Sequence, residues 1–217
     1  MRGKLIVFEG IEGCGKTTQI RQIEGWLREK LGSDGPEIVV TREPGGTRLG
    51  QYLRELLLHS DEKALLSDRA ELLLYAADRA EHVGGLLKPH LARGNMILCD
   101  RFTDSTVAYQ GYGRGLDLGE IHALNRIATG GLEPDLTLWL DISAEAGLNR
   151  VKARGKGDRI ERADLEFHRR VREGFAHLAQ THPHRIVRVE GNADRDRVTR
   201  DIQIILTQYL IKWKINS

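Results

Sequence analysis

Five short apolar runs punctuate the chain, at Leu5–Glu9, Glu37–Thr41, Met96–Cys99, Leu136–Asp141 and Ile186–Val189. They are nearly continuous rather than alternating, which is the pattern of strands covered on both faces and therefore of a parallel sheet. Helical periodicity fills the intervals. Asp68 with Glu71, and Asp117 with Glu120, have the three-residue spacing of a capping pair and predict helix starts. Val198, Ile202, Ile205, Leu206, Tyr209, Leu210 and Trp213 fall on one face of a final helix, which predicts packing on the core, with Lys212 and Lys214 solvated. Strands that alternate with helices, without repeats or long linkers, predict an α/β fold: a five-stranded parallel sheet flanked by helices.

Composition narrows the picture without naming an activity. The 217 residues suit a single domain over 1–217, with 40% hydrophobic residues and five prolines excluding a disordered or fibrous chain. Lys plus Arg number 33 against 31 Asp plus Glu, a net charge of +2 that argues against a broad nucleic-acid-binding face. Cys14 and Cys99 cannot staple a chain of this length or hold a structural zinc, so a reducing compartment is expected. Only four apolar residues, Leu5 to Phe8, follow the first charges, too few for a signal peptide or a membrane span. Cytoplasmic location and no membrane partner are the expectations.

The chemistry begins after the first run. Gly10-Ile11-Glu12-Gly13-Cys14-Gly15-Lys16-Thr17 fits the G-x-x-x-x-G-K-[ST] phosphate loop at every position, between a strand and a helix. Glycines let successive N–H groups turn toward phosphate oxygens, and the following helix adds the positive end of its dipole. Lys16 would charge-pair with the β- and γ-phosphates, and Thr17 would offer its hydroxyl to Mg²⁺, with Asp100, at the end of the third run, orienting the hydrated ion. Cys14 is expected as a small neutral side chain. A guanine-nucleotide switch would carry Asn/Thr-Lys-x-Asp and Asp-x-x-Gly elements, and neither occurs.

A small-molecule kinase needs an acceptor pocket and a cationic cover. Residues Arg150 to Arg172 hold nine Lys or Arg against four acids, around Arg154-Gly155-Lys156-Gly157-Asp158-Arg159. They read as a lid at about 150–162, hinged at Gly155 and Gly157, with Arg154 and Arg159 reaching phosphates, or as a solvated basic helix. For the acceptor, Arg42 leaves the second run in Thr41-Arg42-Glu43-Pro44-Gly45-Gly46-Thr47 and can fork around a phosphate. Tyr75 and Arg79 share a helix face, offering a ring and a guanidinium to a base, or forming a core Tyr and a surface Arg. Thr106 and Gln110 are likewise four apart, suited to base edges or to a plain helix surface.

Together, Phe8-Glu9-Gly10, the Thr41-to-Thr47 stretch, Asp100-Arg101-Phe102, Ala108-to-Gly111, Gly113-Arg114-Gly115 and the Arg/Gly-rich cover resemble the thymidylate kinase family over nearly the whole chain. The resemblance implies a P-loop nucleoside monophosphate kinase fold, Mg²⁺-dependent transfer from ATP to dTMP, and a homodimer. It implies that Gly10, Ile11, Glu12, Gly13, Cys14, Gly15, Lys16, Thr17, Thr18 and Arg150 bind ATP, with the Glu190-to-Ala193 loop near adenine. Arg42 and Arg101 would hold the dTMP phosphate and Glu12 the 3′-hydroxyl side. Tyr75 would stack on thymine, Arg79, Thr106 and Gln110 would meet its edge, and Tyr109 would crowd the 2′ position. Catalysis would fall to Lys16, Arg101, Arg154 and Arg159, as in the bacterial type with its arginine in the lid, since the phosphate loop carries none. Tyr75 stands where the family commonly has Phe, and Cys14 where it commonly has Ala. The alternatives left open are another pyrimidine monophosphate kinase and a noncatalytic P-loop ATP-binding protein.

Overall fold

The five apolar runs assemble into one sheet in the computed structural model, which describes residues 2–59, 66–155 and 158–215. Strands β1 (Lys4–Glu9), β2 (Ile38–Arg42), β3 (Met96–Asp100), β4 (Leu136–Asp141) and β5 (Ile186–Glu190) are all parallel, in the order β2-β3-β1-β4-β5. β2 starts one residue later than predicted, because Glu37 contributes only a carbonyl, which accepts from Met96 N at 2.9 Å. Phe8 and Arg42 both lie opposite Asp100, and Asp141 lies opposite Glu190. The strands therefore end together in Glu9, Arg42, Asp100, Asp141 and Glu190, a charged edge at the carboxyl side of the sheet, where ligands of such folds bind.

Strand alternation sends β1 side chains to two cores. Leu5 and Val7 join Ile97, Cys99, Val83, Leu87 and Leu91 on one face, while Ile6 and Phe8 join Leu98, Leu138 and the buried stripe Ile20, Ile23 and Leu27 of α1 (Lys16–Leu31) on the other. α2 (Arg48–His59) and α3 (Asp68–His82) follow β2. α3 runs through a π-helical turn at Val83–Leu87 into α4 (Lys88–Ala92), which leads to β3. After β3 come α5 (Thr103–Thr106), a π-helical segment Val107–Gly113, and α6 (Leu118–Thr129). α7 (Ala144–Arg154), α8 (Leu165–Thr181) and α9 (Arg195–Lys212) complete the order. Val198, Ile202, Leu206 and Leu210 of α9 are buried as their spacing predicts, and Trp213 packs its ring under the Lys4 ammonium at 5.3 Å.

One predicted helix start is corrected. Asp117 caps α6 by accepting from Glu120 N, but α3 is capped by Ser67, whose hydroxyl accepts from Ala70 N at 3.3 Å. Asp68 is then the first helical residue, and Glu71 is free of the cap and buried. Of the predicted cover, Lys156 and the second hinge, Gly157, lie outside the described residues.

The phosphate loop is pressed against α7 by two glycines that leave no room for a side chain. A Cβ on Gly13, which has φ +73°, would meet Gly147 O at 2.3 Å, and a Cβ on Gly147 would meet Glu12 O at 2.5 Å. Both obstacles are backbone, so nothing can swing aside. Gly147→Ala is expected to lower stability by about 1–3 kcal/mol and to raise KM for the phosphate-loop nucleotide more than KM for the second substrate; thermal unfolding and steady-state kinetics check both.

Candidate active site

The charged sheet edge opens into a cleft of about 560 Å³ lined from Glu12 through Gln19, by Arg42, Arg54, Tyr75 and Arg79, by Asp100, Arg101, Thr106, Tyr109 and Gln110, and by Arg150, Arg154 and Arg195. Its floor is the phosphate loop. Gly10, Gly13 and Gly15 have φ of +138°, +73° and +98°, conformations that other residues rarely adopt, and they carry the chain from β1 into α1. The start of α1 has no side-chain cap, whereas α3, α6, α7, α8 and α9 are capped by Ser67, Asp117, Ser143, Asp164 and Asp194. Its first N–H groups therefore remain for an anion. The Lys16 ammonium is buried beside Gly10 O at 3.0 Å, Ile11 O at 3.2 Å and Cys14 Sγ at 3.5 Å.

Thr17 Oγ1 lies 3.5 Å from Asp100 Oδ2, and Asp100 Oδ1 is buried without a hydrogen-bond partner among the described residues. A hydroxyl and a carboxylate with an oxygen to spare are the hard donors that Mg²⁺ takes alongside water and phosphate oxygens, so these residues fit the ion. No group of three or more His, Cys, Asp or Glu placed to hold a metal occurs among the described residues.

The acceptor half converges on Arg101 and Glu12. Arg101 has φ +72°, unusual for a residue other than glycine, and its backbone N–H donates to Phe8 O at 3.0 Å. Its guanidinium donates to Gly10 O at 3.1 Å, Ser105 Oγ at 3.1 Å and Glu12 Oε1 at 2.8 Å, and lies 4.8 Å from the Tyr109 ring. The Tyr109 hydroxyl sits 2.7 and 2.8 Å from the two Glu12 oxygens, and His168 Nδ1 is 3.4 Å from Oε2. Burial alone would raise the Glu12 pKa, but the Arg101 charge and the His168 hydrogen bond outweigh it and bring the value down to about 2.

Arg42 and Arg54 both approach Gly45: a Cβ there would lie 3.7 Å from Arg42 Nε and 2.9 Å from Arg54 Cδ. Burial, and then the neighbouring Arg42 charge, lowers the Arg54 pKa. Arg79 is 2% exposed, so it is no surface arginine. It donates to Glu43 Oε2 at 2.8 Å, Thr106 Oγ1 at 2.9 Å, Asn125 Oδ1 at 2.7 Å and Phe102 O at 3.0 Å. Thr106 and Gln110 are buried cleft residues, not helix-surface polars, and Tyr75 lines the same wall. At the opposite end Arg150 reaches Gly13 O at 3.3 Å and Gly191 O at 3.4 Å, bridging the phosphate loop and the turn after β5.

The two cover arginines part company. Arg154 lines the cleft, paired with Glu161. Arg159 donates to Leu57 O at 2.9 Å and pairs with Glu71, on the α2–α3 side rather than over the phosphate loop.

The thymidylate kinase family model matches residues 8–202. The chain belongs to that family. It is 55% identical to the thymidylate kinase of Trichodesmium erythraeum, covering 99% of each chain, and 56% identical to that of Nostoc punctiforme, covering 97% of this chain and 98% of the relative. The crystal structure of thymidylate kinase from Ehrlichia chaffeensis superposes with a TM-score of 0.78 at 34% identity, over 95% of this chain and all of the other. The match carries the P-loop nucleoside monophosphate kinase fold expected of the family.

Within this thymidylate kinase site, Arg54, Glu43, Glu71 and His168 are residues that sequence reasoning passed over. Their partners lie 10 to 156 positions away; Glu43 stands in the Thr41-to-Thr47 stretch and Glu71 at a capping spacing, but neither pattern pointed to these contacts. Glu9 belongs with them. Wholly buried at the end of β1, it accepts from Phe102 N at 2.8 Å, Ser105 N at 3.1 Å and Ser105 Oγ at 2.6 Å. Desolvation dominates and raises its pKa to about 7, against the partial relief of Arg101.

A carboxyl whose folded pKa exceeds its ordinary 4.5 binds more protons folded than unfolded between pH 4.5 and about 7, so its contribution to stability is full below 4.5 and falls as pH rises through that window. Glu9→Gln keeps an oxygen to accept from Phe102 N and Ser105 N, and its amide N–H₂ can donate to Ser105 Oγ in place of the bond that the carboxylate accepts. Urea unfolding at pH 5, 6 and 7 is expected to show a shallower loss of stability in Glu9→Gln than in wild type; equal slopes would mean that Glu9 titrates normally.

Proposed function

We propose that this protein transfers the γ-phosphoryl group of ATP to dTMP, giving dTDP and ADP. The observation that carries the reading is that one cleft joins an uncapped phosphate-loop helix at one end to a set of arginines, a tyrosine and polar base-edge groups at the other. Two polyanions can lie in line there, and the acceptor phosphate monoester is already ionised near neutral pH, so no strong general base is required.

In this reading the Gly10-to-Thr18 run cradles the ATP phosphates and Arg150 lies against adenine. Lys16 and Arg101 hold charge on either side of the transferring group. Arg42 and Arg54 take the dTMP phosphate, Glu12 faces the 3′-hydroxyl, and Tyr109, locked onto Glu12, leaves no space for a 2′-hydroxyl. Tyr75 stacks on thymine while Arg79, Thr106 and Gln110 meet its edge. Arg79 has five N–H groups and uses four on protein acceptors, which leaves one for the base. Thr17 and Asp100 would hold Mg²⁺, which when bound neutralises charge on the β- and γ-phosphates.

We assign the catalytic cover arginine to Arg154, because it lines the cleft, is 66% exposed and, among the described residues, is tied down only by Glu161. The chain works as a single domain, 1–217, with its cover at 150–162. A cytoplasmic setting is supported by buried free thiols and by the finding that no described helix is long and apolar enough to cross a membrane. Homodimerisation is supported by large apolar side chains left in solvent on α3 and α6, where Leu73 is 58% and Ile127 78% exposed. The balanced overall charge speaks against nucleic acid as a partner.

A coupled assay with ATP, Mg²⁺ and dTMP, dUMP, UMP, CMP or AMP in turn should show the highest kcat/KM for dTMP. No product from dTMP alongside clear product from dUMP, UMP or CMP would replace this reading with the other pyrimidine kinase, and product from AMP alone would overturn both. Arg154→Ala should lower kcat by at least about tenfold while KM for dTMP stays within about threefold, since a group that acts on the transition state is missed in turnover. An equal loss in both constants would remove Arg154 from catalysis.

A further inference from the structure

Glu71 has no place in the chemistry above, yet its carboxylate is only 1% exposed and is among the most heavily engaged in the molecule. Oε1 accepts from Gln110 Nε2 at 2.9 Å and more distantly from Arg114 Nε at 3.5 Å, and Oε2 faces Arg114 Nη2 at 3.2 Å and the Arg159 guanidinium. Burial alone would raise its pKa, but the Gln110 hydrogen bond and the two arginines outweigh that and hold it below the ordinary value. An ionised carboxylate only accepts hydrogen bonds.

That fact settles which way the Gln110 amide lies. With the side chain 2% exposed, reversing it would set an amide oxygen against a carboxylate oxygen at hydrogen-bond distance, with no water to intervene. Glu71 cannot rotate to accommodate the reversal, because Arg114 and Arg159 hold its other oxygen. The Gln110 carbonyl oxygen is thus turned away from Glu71, and it has no partner among the described residues in a side chain that lines the cleft.

We infer that Glu71 is a positioning residue that determines base specificity: by accepting the Gln110 N–H it presents the amide oxygen to the acceptor, and so selects a pyrimidine with a hydrogen on N3 over one with a lone pair there. The inference rests on the proposal that Gln110 meets the base edge. Thymine and uracil carry N3–H between two carbonyls, whereas cytosine carries an unprotonated N3 beside its amino group. A site built around one hydrogen-bond polarity rejects the opposite polarity far more strongly than a pocket rejects a missing methyl.

The test compares kcat/KM for dTMP, dUMP and dCMP in wild type, Glu71→Gln and the reversed pair Glu71→Gln with Gln110→Glu. In Glu71→Gln the arginines still require an oxygen on their side, so the new amide offers its N–H₂ to Gln110, which turns over and gives an N–H to the base. The dTMP-to-dCMP ratio should then fall by at least about tenfold, while the dTMP-to-dUMP ratio, which reads only the methyl group, stays within about threefold. The reversed pair keeps the site charge and restores an obligate acceptor at 110, so most of the dTMP-to-dCMP ratio should return. Parallel loss for all three acceptors in Glu71→Gln, or no recovery in the reversed pair, would overturn the inference and leave Glu71 a structural anchor. If circular dichroism shows Glu71→Gln unfolded, the reversed pair decides alone, with a wild-type ratio supporting the inference and a collapsed ratio overturning it. Failure of the underlying reading is separately visible, as a wild-type enzyme that phosphorylates another monophosphate but not dTMP.

Discussion

The ion pair between Arg101 and Glu12 is the contact on which the rest of the site depends. A pocket for two polyanions must concentrate positive charge, and buried arginines without counter-charges would oppose folding. Glu12 resolves the conflict from inside the phosphate loop, and it does so while also binding Tyr109 and approaching His168. Through this one carboxylate the loop after β1, the turn after β3, the π-helical segment and α8 are held in a common frame. The same device recurs around it: Glu43 under Arg79, Glu71 under Arg114 and Arg159, Asp141 under Arg172 and Arg188. A net charge of +2 is therefore the sum of a local cationic cleft and the acids that support it from behind.

The frame was legible from the sequence where the signal is local. Each strand is a run of apolar residues that a two-sided burial demands, and each was found to within a residue or so, as with Leu136–Asp141. The phosphate loop was legible for the same reason, since its glycines, lysine and threonine act within eight consecutive positions. Tyr75 and Arg79 were found as a helix-face pair, and Thr106 and Gln110 as another.

What escaped reading were the pairings made across the fold. Glu71 and Arg159 are 88 positions apart, and no periodicity connects them. Asp68 stands three residues before Glu71, as a capping box requires, whereas Ser67 stands before Ala70, so the spacing rule selects the residue after the true cap. A capping role would turn Glu71 back to the helix start, whereas with Ser67 as the cap it is free to lie in the interior. Arg159 suffered from the opposite ambiguity: composition marks a basic cover but not which arginine faces inward.

The π-helical segment Val107–Gly113 bears on how this chain can vary. Arg114 N donates to Tyr109 O at 2.9 Å, five residues back, which is the bonding of an α-helix that has taken in one extra residue. That extra residue lets adjacent side chains serve different masters, Tyr109 holding Glu12 and Gln110 holding Glu71. Removing any one residue of the segment would return the turn to α-helical winding and rotate one side against the other by about 100°, unhooking one of the two. Length, more than the identity of any single side chain, is thus what this stretch must preserve, and changes in chain length are tolerable only where no pair of glutamates is being counted from both ends.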